Sequence, residues 1–336
     1  MVMNNSLVYI GFAFEHHKGT HAGYHHIKEY VNYDYVIDTQ RYVEMCSISS
    51  PSIFKKVWRK ILKIEYILKC VCLALFKGNV IFHFIYGENN YVNNPLLHLR
   101  GCKVIVTFHQ PFSWFKENQK WLGKLNKIDE IILVGKAEID LFNSVTGKNN
   151  VRFFPHGICA DFYSPNSTIQ MENMVLMVGN WLRDFSFASR IFKRLAQVSP
   201  ATKVVVVTNK KNAHFFKENI NVNVLSGISD EELRDLYRKT SCLFLPLERY
   251  TANNALLEAG AVGCNILIAS HHADNSYIPD KYIDICPLDE NLAFKKLLEV
   301  MKRMPNINLA EFVRQHYSWE SVGDQVEKYL KNSNKK

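Results

Sequence analysis

Several common classes are excluded by what the chain does not contain. It has no C-x-x-C pair: the eight cysteines, at 46, 70, 72, 102, 159, 242, 264 and 286, supply neither a zinc ribbon nor a redox motif. They read as reduced, buried thiols of a cytoplasmic protein. No G-x-G-x-x-G opens a helix after the first apolar run, where GFAFEHHKG stands instead, and this removes the simplest dinucleotide-dependent oxidoreductase. The longest apolar stretch, 61–76, is broken by Lys63, Glu65 and Lys69, so nothing reaches the roughly 18 to 20 uninterrupted apolar residues that span a membrane. The N-terminus has no basic lead, and its apolar run ends at Glu15-His16-His17 without a cleavage site, so no signal peptide is expected. Internal repeats are absent, and the one low-complexity tract is the short polar tail KNSNKK.

What is present is enough apolar material for two cores: 336 residues, 47% of them hydrophobic. The formal charge of +9 is uneven. Residues 1–155 hold 19 Lys+Arg against 12 Asp+Glu, and the rest hold 22 against 20. A basic first half suits an anionic partner. Nucleic acid is not expected, because no recognised binding motif appears and the aromatics do not interleave with the basic patch.

Short, continuously apolar runs recur at 7 (LVYIGF), 80 (VIFHFI), 103 (KVIVTF), 130 (EIILV) and 151 (VRFF), separated by helical patterns. Continuous apolar character marks strands buried on both faces, and strand–helix alternation implies a parallel sheet. The rhythm restarts at 174 (MVLMVG), 203 (KVVVVT), 222 (VNVLSG), 242 (CLFLPL), 265 (NILIAS) and 282 (YIDIC). The fold class is therefore α/β, with two Rossmann-like domains facing across a cleft. Residues 1–155 form the first, 156–173 a polar, turn-rich linker, and 174–315 the second. Helices follow at 292–304 and 309–330, the last segment, 316–336, being a C-terminal helix and polar tail that packs back on the first domain. In such folds ligands lie beyond the carboxyl ends of the strands.

The most informative loop is PLERYTANNALLEAGAVGCNILIAS, 246–270, which leaves a buried strand and enters a helix near Thr251 or Ala252. A helix start offers unpaired N–H groups and a positive dipole end, a natural phosphate site. Asn254 and Glu258 share one helical face, which sets a carboxylate one turn below that site, where it can accept ribose hydroxyls. The alternative makes Asn253 and Asn254 helix caps and Glu258 a solvated charge.

These residues resemble the donor segment of family 4 glycosyltransferases, which have the GT-B fold, and HFIYGEN at 83, VTFHQP at 106, VRFFPHGICADFYSP at 151, VGNWLRDF at 178, LSGISDEEL at 225 and HYSWESV at 316 agree with it in order and spacing. The resemblance implies a retaining, metal-independent hexosyltransferase that moves a sugar from a nucleotide-diphosphate sugar to a glycan or lipid-linked acceptor, in synthesis of a surface polysaccharide such as lipopolysaccharide or capsule. It implies donor contacts from Gly179, Asn180, Arg183, Gly227, Ile228, Thr251, Ala252, Asn253, Asn254 and Glu258. Arg183 would stabilise charge on the leaving pyrophosphate, and His109 would reach the transferred sugar. His21, Gly23, Tyr24 and Glu88 would line the acceptor site, Glu88 alternatively capping a helix. No cofactor is implied beyond the donor itself. The chain departs from the family where a Glu usually stands eight residues before the helix Glu: here it is Tyr250, with Glu248 the nearest acid. A sugar-nucleotide epimerase of the same fold is the competing reading.

Two further features bear on partners. No D-x-D occurs anywhere, so the acidic pair with which metal-dependent transferases hold an ion is missing. His17, His21 and His25 have the spacing of a metal-binding helix face, but Gly19 and Gly23 interrupt that helix and no Cys or Asp joins them, so no metal is expected. Residues 54–77 hold seven Lys+Arg and one Glu, with Phe54, Val57, Trp58, Ile61, Ile64 and Leu68 on one helical face and Lys55, Lys56, Arg59, Lys60 and Lys63 on the other. That pattern predicts a helix lying on an anionic membrane, and a peripheral enzyme on the inner face of the cytoplasmic membrane. The alternative is that the same apolar stripe packs on the first domain's sheet.

Overall fold

A computed structural model describes residues 5–248, 253–271 and 277–333. The described residues form two compact units, one running to Gly157 and resuming at Trp319, the other being Ile158–Ser318. The divisions thus fall at 157/158 and 318/319 rather than at 155/156 and 315/316. The segment expected to be a linker belongs to the second unit: Ile158, Ala160 and Tyr163 are buried, and Arg238 donates to the Ser164 carbonyl at 2.8 Å.

The first unit is built on β1 (Ser6–Gly11), β2 (Tyr35–Asp38), β3 (Val80–Phe84), β4 (Lys103–Phe108), β5 (Glu130–Leu133) and β6 (Val151–Phe153). All pair in parallel, in the order β2-β1-β3-β4-β5-β6. Central strands β1 and β3 are buried along their whole length, as their uninterrupted apolar runs require. The edge strand β2 was not foreseen, because three of its four residues are exposed and its sequence, YVID, is too short and polar to stand out. The helix Trp319–Asn332 belongs to this unit. Gly157 lies so close to the Trp319 ring that a Cβ there would meet it at 2.2 Å, and Gly323 is pressed on the backbone of Tyr30. The expected single helix 309–330 is broken at Ser318, whose extended backbone separates Ile307–Tyr317 from Trp319–Asn332.

The second unit holds β7 (Glu172–Val178), β8 (Lys203–Val207), β9 (Val222–Leu225), β10 (Thr240–Leu247), β11 (Ile266–Ser270) and β12 (Asp284–Cys286), again all parallel, in the order β12-β11-β10-β7-β8-β9. Its core joins Val175, Met177, Phe187, Phe192 and Phe244. Each sheet reverses direction of growth once: between β1 and β3 in the first unit and between β7 and β10 in the second. Adjacent strands there send their following loops to opposite faces, which opens a crevice at their carboxyl ends. Topology alone therefore names four loops to inspect. No helix among the described residues is long and apolar enough to cross a membrane.

Candidate active site

In the second unit the loop after β7 folds back on the end of β10. The Asp184 N–H bonds the Pro246 carbonyl at 3.1 Å and the Glu248 N–H bonds the Leu182 carbonyl at 3.2 Å. This turn needs unusual backbone: Gly179 has φ 123° and Leu182 φ 53°. A side chain at Gly179 would collide with the Arg183 guanidinium at 2.7 Å, so the glycine is what lets that group lie against the strand end. Arg183 donates to the Val178 carbonyl (3.1 Å), the Trp181 carbonyl (3.0 Å) and Asn253 Oδ1 (3.1 Å). Burial lowers its pKa to about 10, which still leaves it charged at neutral pH. It forms no ion pair with any described carboxylate; Asp184, its neighbour, instead caps the helix Phe185–Val198 by accepting the Phe187 N–H at 2.8 Å. A guanidinium has five N–H donors, so Arg183 keeps a net positive charge and donors to spare.

Asn253 precedes the helix Asn254–Ala261 but does not cap it with its side chain. Its Oδ1 serves Arg183, and its buried Nδ2 has no hydrogen-bond partner among the described residues. The capping role considered for Asn253 is therefore not the one it has. The helix start, Arg183 and an unsatisfied amide donor converge, all three of a polarity that favours an anion.

Glu258 is not a solvated charge. It is 4% exposed, within a helix whose residues 255–261 are all buried, and its Oε2 accepts the Tyr237 hydroxyl at 2.9 Å. Burial raises its pKa to about 7, with Asp230 adding to the shift and the Tyr237 bond opposing it. The Tyr163 ring lies 6.4 Å from that of Tyr237, and the Tyr163 hydroxyl is buried with no partner. Neither tyrosine carried a signal in the sequence, because Tyr237 reaches Glu258, and Tyr163 reaches Tyr237, from segments remote in the chain. Asn180 lies at the end of β7 and its Oδ1 accepts the Thr208 hydroxyl at 2.9 Å. Gly227 has φ 70° with open space where a side chain would project, and Ile228 follows it. Thr251, Ala252 and Tyr250 lie outside the described residues.

In the first unit the loops after β1, β3 and β4 meet. Tyr24 is fully buried; its N–H donates to the Tyr86 hydroxyl at 2.9 Å, and its ring is 4.8 Å from that of His109. His109 Nε2 donates to the Ile85 carbonyl at 2.9 Å, and burial lowers its pKa to about 4, so the ring is neutral with Nδ1 of acceptor character. Glu88, expected to contact an acceptor or cap a helix, accepts through its Oε1 the backbone N–H groups of His109 and of Gln110, the latter at 2.6 Å. It is a clamp on the His109 loop. Burial pushes its pKa up to about 7. Tyr86, next to Gly87 at the end of β3, was missed, although that position beside the switch point could have marked it.

Gly23 has φ 107°, and a Cβ there would meet His17 Nδ1 at 2.7 Å and His25 Nδ1 at 2.8 Å. Both of those nitrogens are buried without a partner. His21 sits in the bend between the two short helical turns 15–17 and 24–29. Among the described residues no group of three or more His, Cys, Asp or Glu is arranged to hold a metal ion. Beneath the cluster a buried chain runs from the Tyr33 hydroxyl to His83 Nδ1 (2.7 Å) and from His83 Nε2 to the Thr107 hydroxyl (2.8 Å).

No family model matches the sequence, and no curated protein does. Solved structures do match. A sucrose-phosphate synthase from Thermosynechococcus elongatus aligns with TM-score 0.73 and 13% identity over 98% of this chain and 99% of that one. The fold is GT-B. HepE of Anabaena, solved with UDP and glucose, aligns with TM-score 0.66 and 12% identity over 97% of this chain and 99% of that one. TarM aligns with TM-score 0.63 and 13% identity over 79% of this chain and 58% of that one. At these identities the likeness is one of GT-B architecture.

Proposed function

We propose that the chain is a glycosyltransferase that binds a nucleotide-diphosphate sugar in its second unit and an acceptor in its first. The observation that carries this reading is Arg183: a half-buried cation with no carboxylate partner among the described residues, at the β7/β10 switch point, beside a helix start that its N-cap residue Asn253 does not cap. Withdrawing a cation even partly from water without a counter-charge is costly, and a pyrophosphate would relieve it. HepE was solved with UDP, and a starch synthase of the same fold with ADP and acarbose, which supports a nucleoside diphosphate as the anion.

In this reading Arg183 and the first N–H groups of the helix hold the pyrophosphate and stabilise the charge that builds on it as the glycosidic bond breaks. Glu258, oriented by Tyr237, accepts the ribose hydroxyls. As the resemblance to family 4 glycosyltransferases implies, the acceptor hydroxyl enters on the face from which the pyrophosphate leaves, and the sugar keeps its configuration. His109, a neutral ring held by Ile85 and the Glu88 clamp, accepts a hydrogen bond from a sugar hydroxyl. Transfer of a hexose proceeds without a divalent cation, and the acceptor is a lipid-linked glycan of a surface polysaccharide. Nucleotide release measured with UDP-, ADP- and GDP-sugars tests this. Release that requires an acceptor and survives chelator supports it, whereas a changed sugar nucleotide formed without acceptor would make the protein an epimerase.

A further inference from the structure

The helix Ile53–Phe76 is the most anomalous surface of the molecule. The row that it turns to the core is Leu62, Tyr66, Cys70 and Ala74, joined by Val71. The apolar stripe anticipated from sequence points the other way. Phe54 is 83% exposed, Trp58 51%, Ile64 56% and Leu68 55%. The sheet-packing alternative is thereby excluded: a different row of side chains does that packing. From Ile53 to Ile61 no residue is buried at all, so the first turns stand clear of the core.

The stripe continues past the helix end. Phe76 is 82% exposed and Val36, on the edge strand β2, 59%. Between them lies an open groove of about 920 Å³, lined by Tyr35, Val36, Leu68, Leu73 and Phe76 with Lys69 and Lys77 among its walls. Lys77 Nζ donates to the Tyr35 hydroxyl at 3.0 Å and covers that ring. More than half of the large apolar side chains exposed among the described residues belong to this helix and this strand. Soluble monomers rarely leave so continuous an apolar patch bare.

Charge decides what covers it. Glu65, the single acid of 54–77, is paired with Lys69 at 2.7 Å, and none of Lys55, Lys56, Lys60 and Lys63 forms an ion pair among the described residues. A second copy seated on this face would bring two such clusters together. An anionic bilayer accepts both features: the stripe enters the acyl boundary and the flanking lysines reach the phosphates. We infer that this face, from Phe54 along the helix to Phe76 and across to Val36, docks the protein on an anionic lipid surface, with the groove seating an acyl chain. The inference is independent of sugar transfer, because its readout is lipid binding.

The test is co-sedimentation of the full chain with phosphatidylcholine vesicles, with and without phosphatidylglycerol, at low and high salt. Binding should require the anionic lipid, weaken with salt, and fall ~10-fold or more in a Lys55→Glu, Lys56→Glu, Lys60→Glu variant. A Phe54→Ser, Ile61→Ser, Phe76→Ser variant, all at exposed positions, should lose binding with an unchanged melting temperature. Brominated acyl chains should quench the fluorescence of the wild type and not the corresponding component in Trp58→Phe. Absence of binding to anionic vesicles at low salt, equal binding to neutral ones, or indifference to either variant would overturn the inference. So would a dimer in solution that the Phe54, Ile61 and Phe76 substitutions dissociate, since the face would then belong to a second copy.

Discussion

The two units share a six-stranded parallel sheet with one switch point, yet they bury opposite chemistry there. The first unit buries neutral bases: His17, His83 and His156 are lowered to about 3, and His25 and His109 to about 4, each chiefly by burial. The second holds a half-buried cation, Arg183, and a buried carboxyl, Glu258, while its described histidines, His214, His271 and His316, are exposed. Neutral imidazoles and tyrosines around Tyr24 suit an uncharged polyol. A cation beside an uncapped helix start suits a phosphate. On the proposed reading, the same crevice geometry serves two ligand classes.

The largest expected effect lies in the second unit. Arg183→Ala should lower turnover by roughly 100- to 1000-fold, the scale for removing one donor that stabilises a developing charge, and should lower donor affinity less. Steady-state kinetics with saturating acceptor separates the two; equal losses would mean that Arg183 serves ground-state binding only. Next comes the clamp of the first unit. Glu88→Ala strands two backbone N–H groups and should cost about 2–5 kcal/mol of stability, with acceptor-dependent turnover falling while nucleotide binding persists. Denaturant titration and a nucleotide binding isotherm on the same variant check this. Gly157→Ala forces a methyl against Trp319 and should cost about 1–3 kcal/mol, again without changing nucleotide affinity. A matching loss of nucleotide affinity in either variant would break the division of labour between the units.

The most discriminating comparison is of pH dependence. A histidine whose folded pKa is depressed contributes stability that is present above its unfolded value of about 6.5 and is lost, by up to about 1.4 kcal/mol per pH unit, as pH falls towards the folded value. A carboxyl whose folded pKa is raised behaves oppositely: its contribution is full below about 4.5 and is lost as pH rises through about 7. The first unit sets five such histidines against Glu88, and the second has Glu258 with no buried histidine against it among the described residues. Between pH 6.5 and 4.5 the first unit should therefore weaken and the second strengthen. Limited proteolysis across that range should cut first at sites in 5–157; simultaneous cutting in both units would refute the contrast.

Much of this architecture was legible in the sequence because strands buried on both faces must be apolar throughout, as β1, β3 and β10 are; the partly exposed β6, β9 and β12 still fell within apolar runs, and only the edge strand β2 gave no such signal. The amphipathic pattern of 54–77 was legible too, but periodicity shows that a helix has faces and not which one meets the core; Leu62, Tyr66, Cys70 and Ala74 settle that only in three dimensions. At the sites, backbone-dictated residues such as Gly179 and Gly23 could be found from their places after strands. Partners that arrive from remote segments could not. The Tyr237 hydroxyl on Glu258, the Asn253 amide on Arg183 and the Glu88 carboxylate on the loop of His109 are contacts between segments 20 to 70 residues apart, and no local pattern encodes them. Glu258 illustrates the consequence. Its burial means that Glu258→Ala would leave the Tyr237 hydroxyl without a partner, so Glu258→Gln is the cleaner probe of ribose recognition.

The most direct test is calorimetric titration of the full chain with UDP, ADP and GDP, comparing wild type with Arg183→Met, which keeps the side chain's bulk and removes its charge. Saturable binding of at least one nucleotide to the wild type, weakened ~10-fold or more in the variant at an unchanged melting temperature, is the predicted result. No binding of any nucleoside diphosphate, or equal affinity in both proteins, would contradict the assignment of the second unit as the donor site.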